Sequence, residues 1–248
     1  AIVIATPDRQ HVEPAVRALE LGYDVLLEKP IAPTPDGVRR VAEAQARARA
    51  LGGRLAPTVT VAHVLRYTPF FATVKRLLDE GRIGTLVAVQ YTENIGYWHF
   101  AHSYVRGNWR RAADSSPMIL AKACHDLDML RWLVGRPWRR LSSYGSLVHF
   151  RPENAPPGAP ARCTDGCPHA ERCPFDAVRF YVESLKDWTD WPVSVVTRDP
   201  TPQGRLEALR RGPYGRCVYR CDNDVVDHQV VAIEFDGGAT AALTVCGF

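Results

Sequence analysis

The sequence predicts an α/β fold in two parts. A parallel, doubly wound sheet occupies the N-terminal end, and a second domain with an antiparallel sheet follows. Three observations carry this. Up to about residue 81, apolar strand-like runs alternate with amphipathic helical stretches. Beyond that point, strands alternate apolar and polar residues, as half-buried strands do. Two of them, 225–235 and 239–245, flank Asp236-Gly237-Gly238, which reads as a hairpin turn.

In chain order, residues 1–5 form a buried strand that stops at Thr6-Pro7-Asp8, and a helix over 9–21 ends at Gly22. A second buried strand, 23–27, delivers Glu28-Lys29-Pro30 at its carboxyl end. Thr34 and Pro35 fit the N-cap and first position of a helix running to Leu51 and stopped by Gly52-Gly53. Residues 55–62 give a third parallel strand. Thr68-Pro69 starts a helix with Phe71, Val74, Leu77 and Leu78 on one face, closed by Gly81. Residues 85–92 then alternate as a strand, 93–114 read as a polar, aromatic loop, and Ser116-Pro117 begins a long helix to Val134. A strand over 141–150 precedes an irregular insertion, 151–175, rich in Pro, Gly and Cys. The domain boundary falls near residue 65, giving 1–65 and 66–248.

The 248 residues are 46% hydrophobic and 23% charged, an ordinary balance for a globular chain. A net charge of +4, with basic residues scattered rather than striped, points away from nucleic acid. No apolar run approaches the ~20 residues of a membrane span. With no visible signal peptide, the reading is cytoplasmic. The sequence opens inside a strand without Met and closes inside another, so it reads as a segment truncated at both ends. No G-x-G-x-x-G turn occurs in it.

Ligands of open α/β sheets bind outside the carboxyl ends of the strands, which is where Thr6, His11, Glu28 and Lys29 fall. Lys29, extended before Pro30, is suited to donating to a substrate hydroxyl; the alternative is a solvated surface lysine. On the helix after Ser116, Lys122, His125 and Asp126 share one stripe, an arrangement for proton transfer near neutral pH or a plain polar face. Trp109, flanked by Asn108 and Arg110, would close over a cofactor or anchor its own loop. Cys163, Cys167 and Cys173 in one loop, with Cys217 and Cys221 in another, suit a structural zinc ion, with His169 as a substitute ligand. An iron–sulfur cluster, free thiols or a disulfide are the other readings. Cys124 and Cys246 read as small buried residues.

Together these motifs resemble the Gfo/Idh/MocA family of NAD(P)-dependent oxidoreductases. The resemblance rests on Ala5-Thr6-Pro7 with His11, Glu28-Lys29-Pro30, Arg66-Tyr67-x-Pro69, Asn108-Trp109-Arg110 and His125-x-x-Asp128, in that order along the chain. It implies the C-terminal part of a Rossmann domain followed by an α/β domain with an open sheet. It further implies hydride transfer between NAD or NADP and a carbinol of a sugar, inositol or related polyol. On this resemblance Lys29 and His125 are catalytic, aided by Lys122 and Asp126. Thr6, Pro7, His11, Glu28, Lys29, Pro30, Trp109 and Arg110 line the cofactor, while Arg66 and Asp128 join Lys29 and His125 around the substrate. A homo-oligomer formed through the open sheet is also implied.

Two positions depart from the family pattern. Ala121 stands where an Asp is common, four residues before the helix histidine, leaving Lys122 or Asp126 to replace it. Ser115-Ser116-Pro117 stands where a glycine pair is common. Two alternatives therefore stay open: a redox-neutral NAD-dependent glycosidase on the same fold, and a non-catalytic, metal-stabilised dinucleotide-binding protein. The segment on its own is expected to bind cofactor poorly and to be inactive.

Overall fold

The computed structural model describes residues 1–52 and 56–248. Strand β1 (Ile2–Ile4) leads through a 3-10 turn, Asp8–Gln10, into α1 (Val12–Glu20). Then come β2 (Val25–Leu27), α2 (Pro35–Gly52), β3 (Val59–Val61) and α3 (Pro69–Asp79). The three strands pair in parallel in the order β1-β2-β3. Gly53 and Leu55, where the sequence ends one helix and starts the third strand, lie outside the described residues.

The strands are shorter than the apolar runs, and the described residues cover one face of the sheet. Ile4, Val25 and Leu27 are buried in one cluster with Val12, Ala15, Leu19, Val41 and Ala44 of α1 and α2. Val3 and Leu26 point the other way and are 67% and 42% exposed. Each fully buried Leu here contributes about 1.5–3 kcal/mol relative to exposure. Helix α3 begins as its sequence demands: the Thr68 hydroxyl accepts from the Phe71 N–H, with Pro69 following. Phe71, Val74 and Leu78 are half-buried, while Leu77 is exposed.

The second sheet contains β4 (Ala88–Asn94), β5 (Trp138–Ser146), β6 (His228–Phe235) and β7 (Thr240–Cys246) in the order β4-β7-β6-β5. It is mixed. The β6–β7 hairpin is antiparallel, and β5 runs antiparallel to β6, with Asp227 bonded to Ser146 and Asp236 to Pro137. β4 runs parallel to β7, since Thr240 donates to Val87 and Ile95 to Cys246. Val231, Ile233, Phe235, Ala241, Leu243 and Val245 form its buried face. The opposite face is open, and β5 is exposed along its whole length.

The segment 93–114 is not a loop. Helix α4 (Tyr97–Phe100) continues into a π-helical turn, Ala101–Arg106, whose six residues are all buried. Its polar letters conceal an aromatic stripe: Phe100 stacks on Phe150 at 5.4 Å and Trp98 lies 5.6 Å from Trp191. The long helix predicted to Val134 is broken. Helix α5 (Met118–Ala121) stops, Lys122 and Ala123 turn, and α6 (Cys124–Val134) restarts and ends at Gly135, whose φ of 71° makes the left-handed cap. Two short helices complete the chain, α7 (Val193–Val196) and α8 (Pro202–Arg211).

By compactness the chain forms two units. One comprises 1–93, 113–144 and 230–244; the other comprises 94–112, 145–229 and 245–248. Within the second, Arg205 (1% exposed) donates to the carbonyls of Pro200, Tyr181, Leu185 and Trp188. Asp227, fully buried, accepts from the N–H groups of Val148, His149 and Phe150. These ties organise an otherwise irregular stretch. Among the described residues no helix is long and apolar enough to cross a membrane.

Candidate active site

The parallel register aligns the three strand ends. Ile4 sits opposite Leu27 and Leu27 opposite Val61, so the residues that follow emerge from one edge of the sheet. Thr6 and Pro7 are exposed there; Glu28, Lys29 and His63 are half-buried. His11 is 1% exposed, with its ring nitrogens 2.7 Å from the Pro30 carbonyl and 2.8 Å from that of Thr6. It ties the two strand-end loops together from beneath, a scaffolding place rather than a face toward a ligand. The Lys29–Pro30 peptide is cis.

Lys29 reaches across to the broken helix, where Nζ donates to the Ala121 carbonyl at 2.7 Å. The break between α5 and α6 takes that carbonyl out of the α6 ladder, and the ammonium satisfies it. The backbone of residue 121 thus supplies an oxygen at the position where the family pattern has a carboxylate.

One turn on, His125 is half-buried, and its Nδ1 has no partner among the described residues. Burial first, then the charges of Lys29, His63 and Lys122, push its pKa down to about 4. It is therefore neutral at pH 7 and able to accept a proton. Lys122 and Asp126 do not stand in for the missing carboxylate. Lys122 is paired with Glu93 at 2.6 Å, because the helix break turns it toward β4. Asp126, 1% exposed, is hydrogen-bonded to the Tyr91 side chain, and burial aided by Glu93 raises its pKa to about 6. Burial pushes the Tyr91 hydroxyl up as well.

Arg66 and Asp128 grip each other. Nε and Nη2 of Arg66 donate to the two carboxylate oxygens at 2.7 and 2.5 Å. This two-point pair braces the turn before α3 against α6, so both groups are engaged with one another and not held open for a substrate. Asp128 also lies 3.9 Å from His63 Nε2. Ser116 does not cap its helix; its hydroxyl donates to Asp8 at 2.5 Å, with both side chains buried.

Sequence reasoning passed over His63, Tyr91 and Glu93. His63 follows a strand end as Lys29 does. Tyr91 and Glu93 lie on the inward face of an alternating strand, where a carboxylate is out of pattern. Both signals were readable.

Trp109 and Arg110 belong to the second unit, where Arg110 pairs with Asp222 at 2.9 Å. Cys163, Cys167, Cys173 and Cys217 line one small cavity there, about 20 Å³, beside the buried Arg106. The zinc set is not assembled: among the described residues no group of His, Cys, Asp or Glu is arranged to hold a metal ion. Burial raises the pKa of the Cys163, Cys173 and Cys221 thiols, which disfavours the thiolates a metal needs. The Cys221 thiol donates instead to the Cys217 carbonyl.

Residues 75–248 match the family model described as the C-terminal alpha/beta domain of an oxidoreductase family, and residues 1–52 match its NAD-binding Rossmann fold. The chain belongs to the Gfo/Idh/MocA oxidoreductase family. Among relatives in that family, the YteT protein of Bacillus subtilis is 27% identical over 98% of this chain and 54% of its own length. Inositol 2-dehydrogenase 2 of Saccharopolyspora erythraea is 36% identical over 55% of this chain and 35% of the relative. The chain thus spans about half the length, or less, of these curated relatives. Two solved structures share the family fold. An oxidoreductase domain protein from Kribbella flavida has a TM-score of 0.62 at 22% identity, covering 99% of this chain and 48% of that one. Myo-inositol 2-dehydrogenase from Lactobacillus plantarum has a TM-score of 0.59 at 15% identity, covering 99% and 50%. At those identities the likeness is one of fold.

Proposed function

We propose that the protein is an NAD(P)-dependent dehydrogenase acting on a secondary alcohol of an inositol, a sugar or a related polyol. The observation that carries this reading is the convergence of Lys29, from a strand end, on the carbonyl one turn before a neutral His125. An ammonium beside a neutral imidazole is the equipment for oxidising a carbinol: one stabilises negative charge on oxygen, the other takes the hydroxyl proton. The inositol dehydrogenases among the relatives favour a cyclitol within that class.

The residues fit the nicotinamide end of a dinucleotide. Thr6 and Pro7 are exposed at one strand end, Glu28 and Lys29 stand at the next, and Lys29 reaches the turn just before the half-buried His125. When bound, NAD or NADP accepts the hydride. The chain does the rest. Lys29 Nζ donates to the substrate oxygen while holding the Ala121 carbonyl. His125 withdraws the hydroxyl proton. On this reading 1–65 is the dinucleotide-binding part and 66–248 the substrate part, whose open sheet, with Leu141 and Tyr144 exposed, is the surface for self-association.

The test is formation of reduced cofactor by the complete protein against a panel of inositols, sugars and linear polyols. Lys29→Ala and His125→Ala should each lower kcat/KM by at least about 100-fold. Unchanged rates in both variants would reject the assignment.

A further inference from the structure

We propose that His63 is the positioning residue for His125, packing against its imidazole and, through one bridging water, serving the buried nitrogen that otherwise lacks a partner. The inference rests on the dehydrogenase reading and adds a residue to that site.

His63 leaves the end of β3 on the same sheet edge as Lys29. Its ring centroid lies 5.9 Å from that of His125, with the planes at 80°, so the edge of one ring meets the face of the other. Nδ1 of each ring is buried and without a partner among the described residues. Two neighbouring orphaned imidazole nitrogens are costly, and one bridging water would serve both. Of the other polar neighbours, Lys29 donates to Ala121, Lys122 is paired with Glu93 and Asp128 with Arg66, while Asp126 is bonded to Tyr91 and keeps its Oδ2 without a partner among the described residues. The usual source of such a partner, a side chain one turn before His125, is the methyl group of Ala121.

The chemistry requires only a proton. When His125 accepts the hydroxyl proton, its second N–H needs an acceptor. Neutral His63 offers Nδ1 while its Nε2 faces Asp128, 3.9 Å away and fixed by Arg66. If the proton moves on, one N–H bond breaks on His125 as another forms on His63, and Asp128 balances the new charge. The charged and titratable groups facing His125 are Lys29, His63, Lys122 and Asp128; those facing His63 are Asp128, Arg66 and Lys29. Burial holds His63 below its ordinary pKa, which keeps it an acceptor.

Two variants of the complete protein test this. His63→Phe keeps a ring against His125 and removes both nitrogens; His63→Gln restores a hydrogen-bonding group. His63→Phe should lower kcat about 10- to 100-fold with KM changed less than threefold, and the acid limb of the pH profile should move. His63→Gln should recover at least fivefold over His63→Phe. Ring-carbon NMR of His125, which needs no turnover, should show its titration midpoint rising by at least about half a unit in His63→Gln, because a like-charged neighbour has gone. Wild-type kcat and pH profile in His63→Phe, or an unmoved His125 titration in His63→Gln, would overturn the proposal. A wild-type protein that oxidises no polyol fails the dehydrogenase reading alone, and the NMR titration still decides for or against His63.

Discussion

Replacing Lys29 by Met removes a charge and keeps most of the side-chain volume. Three effects follow from its place in the structure. The Ala121 carbonyl, on a residue 1% exposed, loses the donor 2.7 Å away, and no α6 N–H takes its place. Leaving a buried carbonyl unsatisfied costs about 1–2 kcal/mol of stability. His125 loses the foremost of the charges that lower its pKa, so its titration should rise from about 4 toward its ordinary value, while burial keeps it below that value. On the proposed dehydrogenase reading, a developing alkoxide would lose its charged donor, worth about 3–4 kcal/mol, or 100- to 1,000-fold in kcat. Urea denaturation, His125 NMR titration and steady-state oxidation of the best polyol read the three effects separately. Lys29→Arg, which retains the charge, should leave His125 close to its wild-type midpoint. A Lys29→Met protein with kcat/KM within tenfold of wild type and an unmoved His125 would refute the assignment of Lys29 to this site.

Other substitutions probe the supporting structure. Asp126 carries a pKa raised to about 6 against an ordinary 3.8, so its stabilising contribution is complete below about pH 4 and lost as pH rises through about 6. Asp126→Asn should flatten that part of the stability–pH curve, gaining up to about 2 kcal/mol at pH 7, as read by urea midpoints across pH. Asp128→Asn halves the grip on Arg66; with Arg66 partly exposed the cost should be about 1 kcal/mol, and the His63 titration should fall further because Asp128 is the charge that raises it. At Gly215 an added Cβ would stand 1.9 Å from the Leu209 carbonyl oxygen. Gly215→Ala should therefore cost more than about 3 kcal/mol in a thermal melt. Gly166→Ala, at φ +76° in open space, should cost only about 1 kcal/mol.

Where residue chemistry and local rules agree, the chain was readable in advance. Thr68-Pro69 started its helix, the β6–β7 turn fell at Asp236-Gly237-Gly238, and Lys29 came off a strand end facing the helix that bears His125. Tertiary contacts decided the rest. The break at Lys122–Ala123 has no proline or glycine to announce it. Residues 97–106 looked like a loop because their aromatic anchors, among them Phe150 and Trp191, are distant in sequence. Cysteine spacing brought four thiols around one cavity but could not say that burial would raise the pKa of two of them, Cys163 and Cys173. The pairing of Arg66 with Asp128 joins positions 62 residues apart, which no local pattern encodes.

The most direct measurement follows the hydrogen itself. With the complete protein, oxidised cofactor and a polyol deuterated at the reacting carbinol carbon, deuterium should appear at C4 of the reduced nicotinamide, and turnover should slow relative to the protiated substrate wherever chemistry limits the rate. Reduced cofactor lacking that deuterium, or product formed with the label washed into water, would contradict hydride transfer at the Lys29–His125 site.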